Sequence, residues 1–195
     1  NQSRPVTFAF NGGPGSSSVW LHLGCMGPKR LTLTQTMIDS PYQLIENNYS
    51  WLDFTDLVFI DPISTGLSYT TENSKPEDFF EIEKDIHSVA DFIRLYLTKN
   101  NRWPSPKYLV GESYGSLRAV GLLDYLPEEY GIRIDAAVLI SSVINFQTIS
   151  FDPGNDLPYT LYLPAYTAAA WYHNQLKPDL QKNFHRAVKK SKQWA

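Results

Sequence analysis

The residues most suited to chemistry form the pentapeptide Gly111-Glu112-Ser113-Tyr114-Gly115, set between a short β-prone run, Tyr108-Leu109-Val110, and a helical pattern that starts at Leu117. A serine at a sharp strand-to-helix turn is the arrangement of an acyl-transfer nucleophile elbow. The positions flanking it must be nearly free of side chain, because strand and helix crowd together there, and the strained turn lifts Oγ clear of the sheet. The helix start behind it offers positive potential and N–H groups to developing negative charge. Outside such a context the same residues make an ordinary helix cap; within it, Ser113 is expected to attack.

A second group, Asn11-Gly12-Gly13-Pro14-Gly15, follows another β-prone run, Val6 to Phe10. Acyl transfer needs two N–H donors aimed at one oxyanion. One comes from the residue after the nucleophile and one from a glycine-rich loop on a separate strand. Tyr114 and Gly13 suit those roles. A plain hairpin turn or a phosphate cradle are the alternatives, and a phosphate loop would need the Gly-Lys-Ser/Thr that this segment lacks.

A serine nucleophile also needs a histidine to take its proton and an acid to orient that histidine. After an elbow of this kind the acid comes first and the histidine second. Only His173 and His185 follow Ser113, and both fall in a helical tail with no predicted strand before them; His22 and His87 precede it. The expectation is a fragment, incomplete at its C-terminal end and inactive alone, whose acid and histidine lie elsewhere.

The elements that must hold these groups read as α/β. Asp56 to Asp61 and Ala136 to Ile140 are short apolar runs of the kind buried on both faces of a parallel sheet. Glu77 to Thr98 repeats apolar residues every three or four positions, with acids near its start, and predicts a helix. A second helix is expected from Leu117 to about Leu126, ended by Pro127. Strands alternating with helices give a mostly parallel sheet flanked by helices, with catalysis at the strand carboxyl ends. Val19 to Leu21 suggests a short helix broken by Gly24 to Pro28, and Lys29 to Tyr49, with its alternation at Leu31 to Thr34, a loop or edge hairpin. The organisation expected is a core portion over 1–150 and the start of a helical insertion over 151–195, with Tyr166 to Leu176 and Asp179 to Lys190 helical.

Composition narrows the partners. With 17 basic and 20 acidic residues and a net charge of −3, nothing resembles a track for a phosphate backbone, so nucleic acid is not expected. No run approaches the roughly 20 apolar residues of a membrane helix. The one cysteine, Cys25, has no partner for a disulfide and no neighbours at metal-ligand spacing; it is expected to pack as a small apolar residue. No cofactor and no metal are expected.

Taken together, Asn11-Gly-Gly-Pro-Gly-Ser-Ser-Ser18, Asp61-Pro-x-x-Thr65-Gly66-x-Ser68-Tyr69 and Gly111-Glu-Ser-Tyr-Gly115 resemble the serine carboxypeptidase family, supported by Gly27-Pro28 and Tyr49-Ser50-Trp51; the likeness fades after about Tyr172. The resemblance implies an α/β-hydrolase fold and peptide substrates, with single C-terminal residues released through an acyl-enzyme on Ser113. It implies that Asn11 and Glu112 bind the substrate's terminal carboxylate. A Glu meets a carboxylate only by sharing a proton with it, which implies an acidic optimum. It also implies a secreted or periplasmic location. Three positions depart from the family pattern. Ala9 stands for a frequent Trp, and Ser16 for a frequent disulfide Cys, as in a bacterial-like member. Cys25 stands for a Glu that commonly bonds the Glu before the nucleophile, which weakens the expected pH behaviour. An esterase, an acyltransferase of the same fold, or a non-catalytic binding module remain alternative readings.

Overall fold

The computed structural model describes residues 2–32 and 42–195. It divides into two compact units, Asn1–Ile144 and Asn145–Ala195.

In the first unit, β1 (Val6–Phe10) leads through the glycine-rich loop to a short helix, α1 (Val19–Leu21), which widens into a π-helical turn over His22–Met26. Where a loop or edge hairpin is expected, the strands β2 (Lys29–Leu31) and β3 (Leu44–Glu46) pair antiparallel as a two-stranded sheet of their own, and Leu33 and Thr34 of the expected alternation lie outside the described residues. Then come β4 (Asp56–Phe59), α2 (Ile82–Lys99), β5 (Lys107–Glu112), α3 (Tyr114–Tyr130) and β6 (Ala136–Ile140). The four long strands form one sheet in the order β4-β1-β5-β6, and every pairing is parallel. This is the α/β-hydrolase arrangement, and it places the ends of β1 and β5 side by side, with Phe10 opposite Gly111.

The central strand shows why this order is stable. All five residues of β1 are buried, and alternation sends Val6, Phe8 and Phe10 to one face, where they meet Ile86, Val89, Ile93 and Leu97 of α2 and Leu122 and Leu126 of α3. Ala9 faces the other way, with Val110, Leu21 and Met26. Each large side chain fully buried in this way contributes about 2 kcal/mol of apolar transfer.

Several helix boundaries differ from expectation; α3 already begins at Tyr114, and the helix expected over Asp179 to Lys190 is broken between Gln181 and Phe184. Helix α2 starts at Ile82, because Pro76–Phe79 makes its own 3-10 turn, in which the Asp78 carboxylate accepts from the Lys75 N–H at 2.9 Å, and Glu81 is extended at φ −74°, ψ 144°. Helix α3 runs on to Tyr130 with Pro127 inside its last turn, where a missing N–H leaves only one carbonyl without its helical donor. Its end is set by Gly131, left-handed at φ 63°, after which the N–H of Ile132 bonds back to Leu126 O at 3.0 Å. In the second unit α4 (Leu157–Tyr172) begins well before the expected Tyr166: Pro158 is harmless in a first turn, and Pro164 interrupts the pattern without stopping the helix. Two shorter helices, α5 (Pro178–Gln181) and α6 (Phe184–Trp194), complete this unit. Trp171 links them to α4 by donating to Gln181 O at 2.8 Å and packing on Phe184.

Candidate functional site

Ser113 sits between β5 and α3 with φ 56° and ψ −123°, a left-handed conformation that costs an ordinary L-residue about 1–3 kcal/mol. The turn is held from both sides: Ser113 N–H donates to Ile140 O of β6 at 2.9 Å, and Ser116 N–H donates back to Ser113 O. The flanking glycines are sterically required. A Cβ on Gly111 would stand 2.1 Å from Gly115 O, and one on Gly115 would stand 2.8 Å from Phe10 O of the neighbouring strand.

The glycine-rich loop lies directly on this elbow. A Cβ on Gly12 would meet Tyr114 N at 2.5 Å, Glu112 O at 2.7 Å and Gly115 N at 2.8 Å, so only a residue without a side chain lets the two backbones approach so closely. Gly13 follows at φ 107°. Ser113, Tyr114 and Gly13, predicted as nucleophile and oxyanion donors, therefore come from two strands to one place.

Asn11 and Glu112 are also brought together. The amide of Asn11, which is 2% exposed, accepts from Leu21 N–H at 3.0 Å, and this fixes its orientation so that Nδ2 donates to Glu112 Oε2 at 3.0 Å. A cavity of about 560 Å³ opens beside them, lined by Asn11, Gly13, Trp20, Cys25, Glu112 and Ser113. Cys25 is exposed in this cavity, contrary to the packed position expected of it, because the π-helical turn carries it away from the buried Met26. Ala9 is buried under the sheet, facing away from α2 and α3.

The middle sequence block acts as a brace. Asp61 accepts from Ser18 N–H at 2.8 Å and from Leu67 N–H at 3.1 Å, and Ser18 Oγ donates to Ile60 O. The turn after β4 is thereby fastened to the glycine-rich loop.

Two residues that sequence reasoning missed are central here. Arg118, wholly buried on α3, forks onto Asp85 of α2 at 2.9 and 3.1 Å and donates to Asn11 O at 2.8 Å. Their signal was present: both are charges on apolar helical stripes, Asp85 between Ile82 and Val89, and Arg118 between Tyr114 and Leu122. Tyr114 is pushed up to about 12, first by burial and then by the negative charge of Asp85, to which its hydroxyl hydrogen-bonds.

The histidines of the first unit are engaged elsewhere. His22 stacks on Phe59 with centroids 4.5 Å apart and His87 on Tyr125 at 4.1 Å, and neither hydrogen-bonds Ser113 among the described residues. In the second unit His173 packs on Tyr172 and His185 on Phe184. Among the described residues no cluster of His, Cys, Asp and Glu could hold a metal ion, and no helix is long and apolar enough to cross a membrane.

As an arrangement, a strained serine shares a cavity with a glycine-rich loop from the neighbouring strand and with a fixed amide–carboxylate pair. Groups of these types, so placed, are those that nucleophilic acyl transfer uses.

The chain is similar to known proteins. A pheromone-processing carboxypeptidase kex1 from Talaromyces marneffei is 34% identical over 116 residues, covering 58% of this chain and 17% of that protein. A carboxypeptidase Y homolog A from Paracoccidioides lutzii is 26% identical over 196 residues, covering 94% of this chain and 30% of its own length. The chain thus spans less than a third of these relatives. The solved structure of Kex1(delta)p, a prohormone-processing carboxypeptidase from Saccharomyces cerevisiae, shares the fold, with a TM-score of 0.55 at 23% identity over 96% of this chain and 39% of that one. The family model described as serine carboxypeptidase matches residues 1–192, and the chain belongs to that family.

Proposed function

We propose that this chain carries the nucleophile and the carboxylate-recognition groups of a serine-type carboxypeptidase, which releases single residues from the C-terminus of peptides through an acyl-enzyme on Ser113. The observation that carries the reading is the Asn11–Glu112 pair, bonded at 3.0 Å and lining the same cavity as Ser113. A general acyl hydrolase has no need of an amide and a carboxylate fixed beside its nucleophile, whereas a substrate ending in a carboxylate does.

In the reaction Ser113 Oγ attacks the scissile carbonyl, and the developing oxyanion lies between the N–H groups of Gly13 and Tyr114. Asn11 Nδ2 donates to the terminal carboxylate. Glu112 Oε1, which accepts no hydrogen bond among the described residues, shares a proton with that carboxylate, so activity falls as the medium becomes alkaline. The proton of Ser113 requires a histidine held by an acid, and His22 and His87 are stacked on other rings, so the reading assigns this pair to the full-length protein. An extracytoplasmic location is part of the same reading; it is supported by relatives named for processing pheromones and prohormones.

The test is hydrolysis, by the full-length protein as its gene encodes it, of a blocked dipeptide with a free carboxylate, between about pH 4 and 8. Release of the last amino acid, fastest in acid, is the expected result. Cleavage of simple esters with no attack on the dipeptide, or acyl transfer to an alcohol in preference to water, overturns it in favour of an esterase or acyltransferase. Stoichiometric labelling of Ser113 by a diisopropyl phosphonate in the 195-residue chain alone counts against the missing base.

A further inference from the structure

We infer that Arg118 is a positioning residue that locks the two halves of the oxyanion site together and, through Asn11, sets recognition of the substrate's terminal carboxylate; the inference rests on the carboxypeptidase reading above. Three different nitrogens of its guanidinium are used. Nε and Nη2 hold the two oxygens of Asp85 at 2.9 and 3.1 Å, and Nη1 donates to Asn11 O at 2.8 Å. Two rings also lie against the group, with its central carbon 5.4 Å from the Phe10 centroid and 5.2 Å from that of Tyr114.

Each partner belongs to the chemistry. Asn11 begins the loop that supplies Gly13, and its side chain is the one bonded to Glu112. Tyr114 follows the nucleophile, and its hydroxyl hydrogen-bonds Asp85. One buried ion pair thus grips the first donor strand by a backbone carbonyl and the second by a phenol.

Stability alone does not account for this pair. Buried ion pairs replaced by apolar residues of equal volume commonly leave a protein as stable or more so, because two charges must lose their hydration. What apolar residues lack is direction. An arginine fork holds three acceptors in one plane, and a lysine ammonium cannot reproduce that geometry.

The test uses Arg118→Lys and Asp85→Asn in the full-length protein, assayed with a blocked dipeptide and with a blocked amino-acid p-nitrophenyl ester, which has no carboxylate. Rates are expressed per competent site, counted from the ester burst, so that loss of folded protein does not enter. Misplacing the oxyanion donors lowers kcat on both substrates by on the order of 10-fold in Arg118→Lys, and misplacing Asn11 lowers the dipeptide-to-ester ratio of kcat/KM by about another 10-fold. Asp85→Asn keeps one acceptor and shows the same pattern, less steeply. A merely structural role lowers the melting temperature and the number of competent sites and leaves both per-site quantities at the wild-type values; that result overturns the inference. If the wild type cleaves the ester and not the dipeptide, the carboxypeptidase reading fails by itself, and the per-site ester kcat of the variants still decides whether Arg118 holds the oxyanion donors. A wild type that cleaves neither substrate removes both.

Discussion

The two ends of the parallel sheet use the same ion-pair chemistry for different purposes. At the amino ends of the strands Asp56, the first residue of β4, takes Arg4 at 2.7 Å and Arg102 at 2.6 Å, and Arg102 also reaches Arg4 O and Ser105 Oγ. This network ties the starts of β1, β4 and β5 together and touches no group that could react. At the carboxyl ends the pair Asp85–Arg118 holds Asn11 and Tyr114, the backbone at Ser113 is left-handed, and two loops meet where no Cβ fits. The lower network keeps its Asp side chain 35% exposed, and the upper Arg is fully buried. The left-handed serine and the loop contact that admits no Cβ lie at the end where ligands of open α/β sheets bind, whereas at the other end, where Asn101 is also left-handed at φ 55°, the network only fastens strand starts.

The largest effect that tests this division comes from Gly12→Ala. Its Cβ would press on three backbone atoms of the elbow, none of which can rotate away as a flexible side chain would. The loop must retreat, taking Gly13 with it, and kcat of the full-length protein is expected to fall roughly 10²- to 10³-fold, the loss typical of one oxyanion donor. A variant with wild-type kcat would mean that the contact between loop and elbow has no part in catalysis.

The lower end predicts the opposite: a change in stability with kcat intact. Asp56→Asn is expected to cost about 2 kcal/mol at neutral pH, between the values for exposed and for buried pairs, because the carboxylate is partly solvated. Burial pushes the Asp56 carboxyl up, but hydrogen bonds and charge from Arg4 and Arg102 outweigh it and hold the group below its usual 3.8. A depressed carboxyl stabilises the fold above its unfolded pKa, and that contribution fades as the pH falls through the lower folded value. The gap between wild type and Asp56→Asn in denaturant titrations should therefore be widest near neutrality and close below about pH 4. A gap that stays constant with pH, or a loss of kcat, would contradict a purely stabilising role.

How far the sequence reaches differs between the same two regions. Asn11 and Glu112 were singled out only by the family resemblance, whereas the strands, the parallel class and the meeting of the two glycine-flanked segments at Ser113, Gly13 and Tyr114 were legible, because glycine spacing and apolar runs are local signals. The Asp85–Arg118 pair was not, since period counting treats a charge on an apolar stripe as noise, and only packing α2 against α3 shows that each answers the other. Helix ends were misplaced where prolines stand at Pro76, Pro127 and Pro164. A proline weakens one hydrogen bond, and whether the helix continues is decided by tertiary contacts the pattern does not contain. Cys25 was placed in the core because cysteine usually goes there, and the π-helical turn that exposes it has no sequence signature.

The smallest effect isolates the strain itself. Ser113→Ala removes the hydroxyl but keeps a Cβ at φ 56°, whereas Ser113→Gly removes both, so the pair of variants differs mainly in the cost of that backbone conformation. Glycine also enlarges the unfolded ensemble, which takes back about 0.5–1 kcal/mol, and Ser113→Gly should still be more stable than Ser113→Ala by about 1 kcal/mol. At the amino end Ser105, which is not among the residues with positive φ, supplies the control: there the glycine variant should be the less stable of the two. Chemical denaturation of the four variants gives both differences at once. Should glycine lose at both positions, the left-handed turn at Ser113 stores no energy, and its conformation must then be one the surrounding backbone accepts without cost.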